Sequence, residues 1–354
     1  MKRKLIFKYS LKGISLLALS AISLTSVAQK KYAISERPDE QRVDITVDGK
    51  PFTSYIYPDD LMKPVLYPLR TSKGTLVTRG WPLDPRPGER VDHPHHVGMW
   101  FNYGNVNGLD FWNNSTAIPE DKKKDYGTIK HVAVKNKEIN RDGAILEVEK
   151  DWQTPEGKTL IRETTKYTFS EVDNQRSIEM DSKLTAQDED VSFADNKEGL
   201  LGIRIARELE HPSKNPEIFT DANGNPTKVA ALNNDKVTGK YRSSEGIEGD
   251  NVWGTRAHWV NLMGKINNEP ISILILDNNK NIGYPTYWHA RGYGLFAANP
   301  LGQKEFSKGK ETLNFNLKAG ESVNFKYKVI INSGSNLTDN EAFKAFNDFV
   351  GKQK

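Results

Sequence analysis

The chain of 354 residues has no cysteine, and that absence removes several chemistries at once. It excludes a disulfide framework, a thiolate nucleophile, a zinc–thiolate centre and a lipid anchor on an N-terminal cysteine. After the first 28 residues there is also no apolar run near the roughly 20 residues that a spanning helix needs. No Gly-x-Ser-x-Gly elbow, phosphate loop or dinucleotide fingerprint occurs, which argues against serine-hydrolase and nucleotide chemistry. Nor is one sign of charge in large excess, with 50 Lys+Arg against 46 Asp+Glu. No basic stripe with interleaved aromatics remains to suggest nucleic acid as a partner.

The first segment present reads as an address. Lys2, Arg3, Lys4, Lys8 and Lys12 form a basic start, Ile14 to Val27 is apolar or small, and Ser26-Val27-Ala28 is a small-x-small cleavage site. Residues 1–28 are therefore expected to be a signal peptide cleaved near Ala28, leaving residues 29–354 as one domain. The mature protein is expected in the periplasm or secreted, without membrane insertion. Loss of five basic residues takes the formal charge from +4 to −1, so the basic balance belongs partly to the leader.

The patterns that follow are nearly all β. Val43 to Val47 alternates, Asp48-Gly49 is a hairpin turn, and Phe52 to Tyr57 returns as a strand. Ile145 to Trp152, Thr159 to Phe169 and Arg176 to Leu184 are strands joined at Pro155-Glu156-Gly157 and at Asp173-Asn174. Ile271 to Leu276 is continuously apolar, as in a strand buried on both faces. Thr312 to Leu317 and Ser322 to Ile331 read as a hairpin around Ala319-Gly320. Thr116 to Asp125 and His211 to Asp250 read as long loops. Thr338 and Glu341 form a capping box for a helix over Asp339 to Val350, with Phe343, Phe346 and Phe349 on one stripe and Gly351 as its stop. The expected fold is all-β, a large antiparallel β-sandwich closed by a short C-terminal helix.

Histidine is scarce, yet three of the seven lie in Asp92-His93-Pro94-His95-His96. If Val97 to Tyr103 is extended, His96, Gly98, Trp100 and Asn102 form a polar, aromatic surface and Val97, Met99, Phe101 and Tyr103 a core face. The same alternation places Glu198, Gly202 and Arg204 on one face and Leu201, Ile203 and Ile205 on the other. It aligns Arg256 with His258, and His289 with Arg291 and Tyr293. Charged residues on such faces need solvent, a ligand or each other.

This inventory suits a sugar site, especially one for acidic sugars, since aromatics stack on sugar faces, arginines hold carboxylates, and a His/Glu pair moves protons. The expected catalytic residues are His95, His96, His289 and Glu198. Arg79, Trp100, Asn102, Trp112, Arg204, Arg256, His258, Arg291 and Tyr293 are the expected substrate-binding residues. Each also has a plainer use, Glu198 with Arg204 as a structural ion pair and the tryptophans as core. No cofactor is expected. A divalent metal on His93, His95 and His96, completed by His289 or Asp110, is the alternative, although Pro94 interrupts the strand and His95 and His96 diverge when extended.

The motif DHPHHVGMWFNYGNVNGLDFW, Asp92 to Trp112, resembles a bacterial family of exported proteins labelled methane oxygenase PmoA-like. NKEGLLGIRIA (Asn196 to Ala206), WGTRAHW (Trp253 to Trp259) and PTYWHARGYGLFAANPLG (Pro285 to Gly302) are similar to its other blocks. The label does not imply membrane-bound methane oxidation, because the chain is hydrophilic after its leader. What the resemblance implies is an exported protein of polysaccharide-degrading bacteria. The ending ETLNFNLKAGESVNFKYKVII, Glu311 to Ile331, resembles the closing hairpin of galactose mutarotase-like supersandwich proteins. That likeness implies carbohydrate bound on a concave sheet, with epimerases using a histidine and a glutamate. The expected function is an exported carbohydrate-active enzyme, a hydrolase, lyase or epimerase. The alternatives are a non-catalytic glycan-binding protein and a metal-dependent oxygenase.

Overall fold

The computed structural model describes residues 31–229 and 233–351, so the expected signal peptide lies outside the described residues. Among them no helix is long and apolar enough to cross a membrane. Two eight-stranded antiparallel sheets carry the fold. The first runs, in spatial order, through Tyr32–Arg37, Arg42–Val47, Lys50–Ile56, Val65–Leu66, Met99–Tyr103, Gly199–Arg204, Leu295–Asn299 and Tyr287–Arg291. The second runs through Lys240–Ser243, Trp259–Ile266, Glu269–Asp277, Ser322–Ser333, Gln175–Ala186, Thr159–Val172, Ala144–Gln153 and Thr128–Ile139.

One apolar cluster fills the space between the sheets, joining residues such as Phe101, Ile203 and Phe296 of the first to Trp152, Ile273 and Phe325 of the second. The period-2 pattern of the strands produces this directly, because alternate side chains share a face. Asp48 and Gly49, both at positive φ, make the tight turn between Arg42–Val47 and Lys50–Ile56. In Glu269–Asp277, Ile271, Ile273 and Ile275 point to the inter-sheet core, while Leu274 and Leu276 lie under the C-terminal helix. That explains the unbroken apolar run.

The helix spans Asp339–Gly351. Its capping box forms as expected, with the Glu341 carboxylate accepting from the Thr338 amide at 2.8 Å and Thr338 Oγ1 from the Glu341 amide at 3.3 Å. Phe346 and Phe349 are buried against Trp259, Leu274 and Ile330, whereas Phe343 stays partly exposed at the rim of Trp259.

Two expectations about strands are corrected. Only Phe315–Leu317 of the Thr312 to Leu317 segment is a strand, and it pairs with Val191–Phe193 rather than with Ser322–Ser333. Ser322–Ser333 instead joins Gln175–Ala186 to Glu269–Asp277 in the second sheet. The His211 to Asp250 segment is not all loop, since it holds the hairpin Glu217–Thr220 and Pro226–Val229 and the edge strand Lys240–Ser243.

Candidate functional site: a histidine, arginine and aromatic cluster beside a cleft

Register decides which side chains meet on the outer face of the first sheet. Trp100 pairs with Gly202, Gly202 with Ala297, and Ala297 with His289. Directly opposed residues project from the same face, so these four form one row across four strands. Arg204, Leu295 and Arg291 form the next row on that face. Between the two rows Met99, Ile203, Phe296 and Ala290 turn into the core. Gly202 leaves room for the aromatic side chains, for a Cβ there would lie 2.5 Å from Trp100 and 3.0 Å from Trp112.

The histidine loop closes over this face as a turn, with the His96 amide donating to the His93 carbonyl at 2.9 Å and Pro94 next after His93. Gly98 has φ +57, which flips the alternation. Val97 therefore packs with Trp100 and Trp112 on the outer face and not, as expected, with Met99. A side chain at Gly98 would also strike the Leu66 carbonyl at 2.3 Å. The expected open surface is in fact a covered one, with Trp100 2 % exposed and His96 1 %.

Arg79 holds the loop from within. Its guanidinium donates to the carbonyls of Arg90, Asp92, His93 and His96 at 2.8 to 3.1 Å and to the Asp92 carboxylate at 2.5 Å. The same carboxylate accepts from Arg204 at 2.5 Å and contacts His93 Nδ1 at 2.9 Å. Burial opposes ionisation of Asp92, but His93, Arg204 and Arg79 together hold its carboxyl well below the usual range. Burial and the neighbouring Arg204 pull Arg79 down to about 9, the Asp92 carboxylate opposes them, and that carboxylate bridges the two buried guanidiniums.

The rings stack in sequence. Tyr293, His93, His96 and Trp100 follow one another at centroid spacings of 5.1, 4.8 and 5.1 Å, nearly parallel. Trp112 meets Trp100 and His96 edge-on at 5.2 and 5.7 Å, and His95 meets His96 edge-on at 4.3 Å. Arg204 lies 5.1 Å from the centre of the Tyr293 ring and donates to His96 Nδ1 at 3.3 Å. A guanidinium can only donate, so His96 Nδ1 accepts and the ring proton sits on Nε2. Burial first, then neighbouring cations and rings, pushes His96 well below its ordinary value and His95 down to about 2. Both are neutral at physiological pH.

A metal does not suit this geometry. The three rings meet by their faces and edges, and among the described residues no group of three His, Asp or Glu side chains is placed to hold one. The structure thus gives no support to the alternative of a divalent ion on His93, His95 and His96.

His289 and Glu198 sit at the other end of the first row. His289 Nδ1 donates to the Lys197 carbonyl at 2.9 Å, which fixes the proton on Nδ1 and leaves Nε2 as the basic nitrogen. Glu198 Oε2 is 3.8 Å from the same Nδ1. Burial pushes His289 down to about 3, the Lys197 carbonyl working against it and Arg291, Lys197 and His93 with it. Burial also raises the Glu198 carboxyl, partly offset by Lys197. At neutral pH the imidazole in this contact is therefore uncharged, while burial favours the protonated form of the carboxyl. Trp253 and Phe306 close around His289 edge-on at 6.4 and 5.9 Å.

A cleft of about 530 Å³ has Arg90, Trp253, Ala290, Arg291 and Tyr293 among its walls. His289 and Glu198 do not line it themselves, and His289 adjoins it through Trp253 and its chain neighbour Ala290. Tyr293 thus belongs both to the ring stack and to the cleft. A larger cleft of about 660 Å³, between Arg70, Arg86 and Arg207, contains none of the expected site residues.

Several of the expected residues lie elsewhere. His95, His96, Arg79, Trp100 and Trp112 are packed beneath the loop rather than along the cleft. Asn102 donates to the Phe111 carbonyl at 2.6 Å and so pins a neighbouring loop. The Trp253 to Trp259 segment is not one extended strand, because a 3-10 turn ends at Val252 and the second-sheet strand starts at Trp259. Arg256 consequently pairs with Glu311 and lies over Tyr287, while His258 contacts the Tyr284 hydroxyl at 2.5 Å and stacks on Phe346 of the C-terminal helix. Neither reaches the cleft.

Two residues escaped the sequence reading. Asp92 was visible beside the histidines, but its double clamp needs the fold. Lys63 is 2 % exposed, donates to the His95 carbonyl at 2.8 Å and lies 5.6 Å from the centre of the Trp100 ring. Its only signal is a lone cation within the apolar run from Leu61 to Leu66. Burial brings its ammonium down to about 7, against the pull of Asp110.

The buried imidazoles carry a linkage consequence. His95 and His96 stay neutral when folded but bind protons near pH 6.5 when unfolded. Their stabilisation is fully present above that pH and is lost as pH falls below it, by about 1.4 kcal/mol per histidine per pH unit. Buried Asp277, raised to about 7, works in the opposite direction over the same range. The clean comparison is thus between variants: the change in unfolding free energy from pH 6.5 to 5.5 in urea should be less destabilising in His96→Gln than in wild type by about 1 kcal/mol, since the unfolded imidazole is only half protonated at the start of that range. Equal pH slopes in the two proteins would mean that the His96 imidazole is charged in the fold.

No curated protein matches the chain in sequence. Among solved structures it is similar to the galactosidase domain of an alpha-galactosidase-sucrose kinase, at 10% identity and TM-score 0.39, covering 86% of this chain and 42% of that one. The chain therefore spans under half the length of that protein. It is also similar to a galactose mutarotase-like protein from Clostridium acetobutylicum, at 12% identity and TM-score 0.38, covering 85% and 98%. A polysaccharide lyase matches at 12% identity and TM-score 0.26, over 73% of this chain and 34% of its own. The sequence from residue 42 to residue 347 matches the model of DUF6807, a family of unknown function, and the chain belongs to that family.

Proposed function

We propose that this protein is an exported carbohydrate-active enzyme that transfers a proton at a sugar ring, in hydrolysis, elimination or epimerisation. One observation carries the reading: a partly exposed carboxyl raised by burial stands 3.8 Å from an imidazole lowered by burial, whose free nitrogen is set by the Lys197 carbonyl. Two titratable groups whose environments push their pKa values in opposite directions are the usual sign of an acid–base pair. His289 Nε2 is the base that takes a proton from the sugar, and the Glu198 carboxyl, favoured in its protonated form by burial, is the acid that gives one to it. Trp253 and Tyr293 offer aromatic faces at the cleft. His95 and His96, both expected to be catalytic, become supports of the cluster in this reading. The chain's own groups supply acid and base, so no cofactor enters.

Export rests on the Met1 to Ala28 leader, and kinship with exported PmoA-like proteins rests on the Asp92 to Trp112 motif. Both belong to this proposal. The test is incubation of the purified mature protein with a broad panel of oligosaccharides, with and without chelator, followed by mass spectrometry and anomeric NMR. Conversion of at least one saccharide, unchanged by chelator, is expected. Saturable binding with no product after prolonged incubation would identify a glycan-binding protein instead. Conversion that the chelator abolishes would reject the His/Glu assignment.

A further inference from the structure

Arg291 differs from the other arginines of the site. Arg79 and Arg204 share Asp92, and Arg90 is paired with Glu210 and Glu217. Arg291 is exposed at the end of Tyr287–Arg291, and its guanidinium makes no ion pair among the described residues. It is nonetheless held, 5.4 Å from the centre of the Trp253 ring and 5.8 Å from that of Tyr293. Contacts of that kind on an arginine leave its hydrogen-bonding edge free.

The acids of the cleft are already engaged. Glu217 pairs with Arg90 at 2.8 Å, and Asp250 contacts His211 Nδ1 at 3.1 Å and accepts from the Gly292 amide at 3.1 Å. Arg291 and Lys214 are the cleft cations left without a carboxylate among the described residues. The wall they form calls for an anion from outside.

We infer that the cleft selects an acidic saccharide, whose ring carboxylate is bound by the edge of the Arg291 guanidinium. This rests on the sugar-site reading and narrows its substrate class. A planar carboxylate matches the two parallel N–H groups of a guanidinium edge, which a tetrahedral sulfate matches less well. His289 and Arg291 lie two residues apart on one strand and on one face, roughly 7 Å between Cα atoms. A single sugar residue bridges that gap, so a carboxylate on Arg291 brings its ring to His289 Nε2. The Trp253 and Tyr293 rings that hold the guanidinium also flank the sugar.

The test uses a uronic-acid oligosaccharide and its carboxyl-reduced neutral counterpart, with affinities measured by calorimetry on the mature protein. Wild type should bind the acidic form at least ten-fold more tightly, and Arg291→Gln should bring the acidic form to the affinity of the neutral one. Arg291→Lys should keep part of the preference, since a point charge remains while the fork is lost. Melting temperature serves as the folding control, and the exposed position of Arg291 predicts little change. Equal wild-type affinities for the two forms, a preference that survives in Arg291→Gln, or stronger binding of a sulfated saccharide would each overturn the inference. If only neutral saccharides bind or turn over, the sugar-site reading stands and the acidic specificity fails. If no saccharide of any kind binds, the sugar-site reading fails with it.

Discussion

Replacing Glu198 with glutamine is expected to cut turnover of the converted saccharide by roughly a hundred- to ten-thousand-fold, the range for loss of a positioned acid–base group. Affinity and fold should survive, because glutamine keeps the shape and hydrogen-bonding reach of the side chain. The main-chain bonds that place it, from Glu198 N to Asn196 Oδ1 at 2.9 Å and from Gly104 N to the Glu198 carbonyl at 2.8 Å, do not involve the carboxyl. His289→Ala should have a comparable effect on kcat. Here the second variant separates roles: His289→Gln can still donate to the Lys197 carbonyl but supplies no basic nitrogen, so it should remain folded and inactive. A kcat within three-fold of wild type in Glu198→Gln would remove the carboxyl from the mechanism.

The second large effect falls on stability. Asp92→Ala should lower the unfolding free energy by about 3–5 kcal/mol, the cost of leaving a buried charge without its partner. Arg79 and Arg204 are 1 % and 0 % exposed, and this one carboxylate bridges them. Arg79 also gathers four carbonyls of the histidine loop, so its misplacement would loosen the ring stack that reaches Tyr293. Asp92→Asn retains one acceptor oxygen but no charge, and should lie between wild type and Asp92→Ala. Urea unfolding monitored by tryptophan fluorescence reads both, since Trp100 and Trp112 lie in the affected cluster. A loss below 1 kcal/mol in Asp92→Ala would show that the carbonyls alone hold the loop.

Much of the architecture was legible because local pattern and tertiary burial agree. Val43 to Val47, Ile145 to Trp152 and Ile271 to Leu276 each follow the alternation or continuity that their positions in the sheets require. The capping box at Thr338 was equally local. Failures arose where pairing is non-local. Nothing near Phe315–Leu317 shows that its partner is Val191–Phe193 instead of the strand just after the turn. An extended segment would group His258 with Arg256, whereas Arg256 makes an isolated bridge to Tyr287 of the first sheet and the second-sheet strand starts only at Trp259.

The candidate site was legible in part for the same reason. His289, Arg291 and Tyr293 follow one another closely enough for sequence spacing to group them, and Glu198 was recognised as a polar residue beside an apolar strand. The rows that bring Trp100 and His289 onto one face depend on the register of four strands, which composition does not encode. The histidine triplet drew attention through rarity, yet its rings are packed and neutral, and the cleft opens beside Tyr293. Gly98 is the particular residue that misled the alternation, since its positive φ reverses the face of Val97.

The most direct measurement is a crystal structure of Glu198→Gln soaked with the saccharide that wild type converts. The account predicts a sugar in the cleft of about 530 Å³, its ring beside Trp253 and Tyr293 and its reacting carbon facing His289 Nε2. Sugar ordered instead in the cleft of about 660 Å³ between Arg70 and Arg207, away from His289, would contradict it.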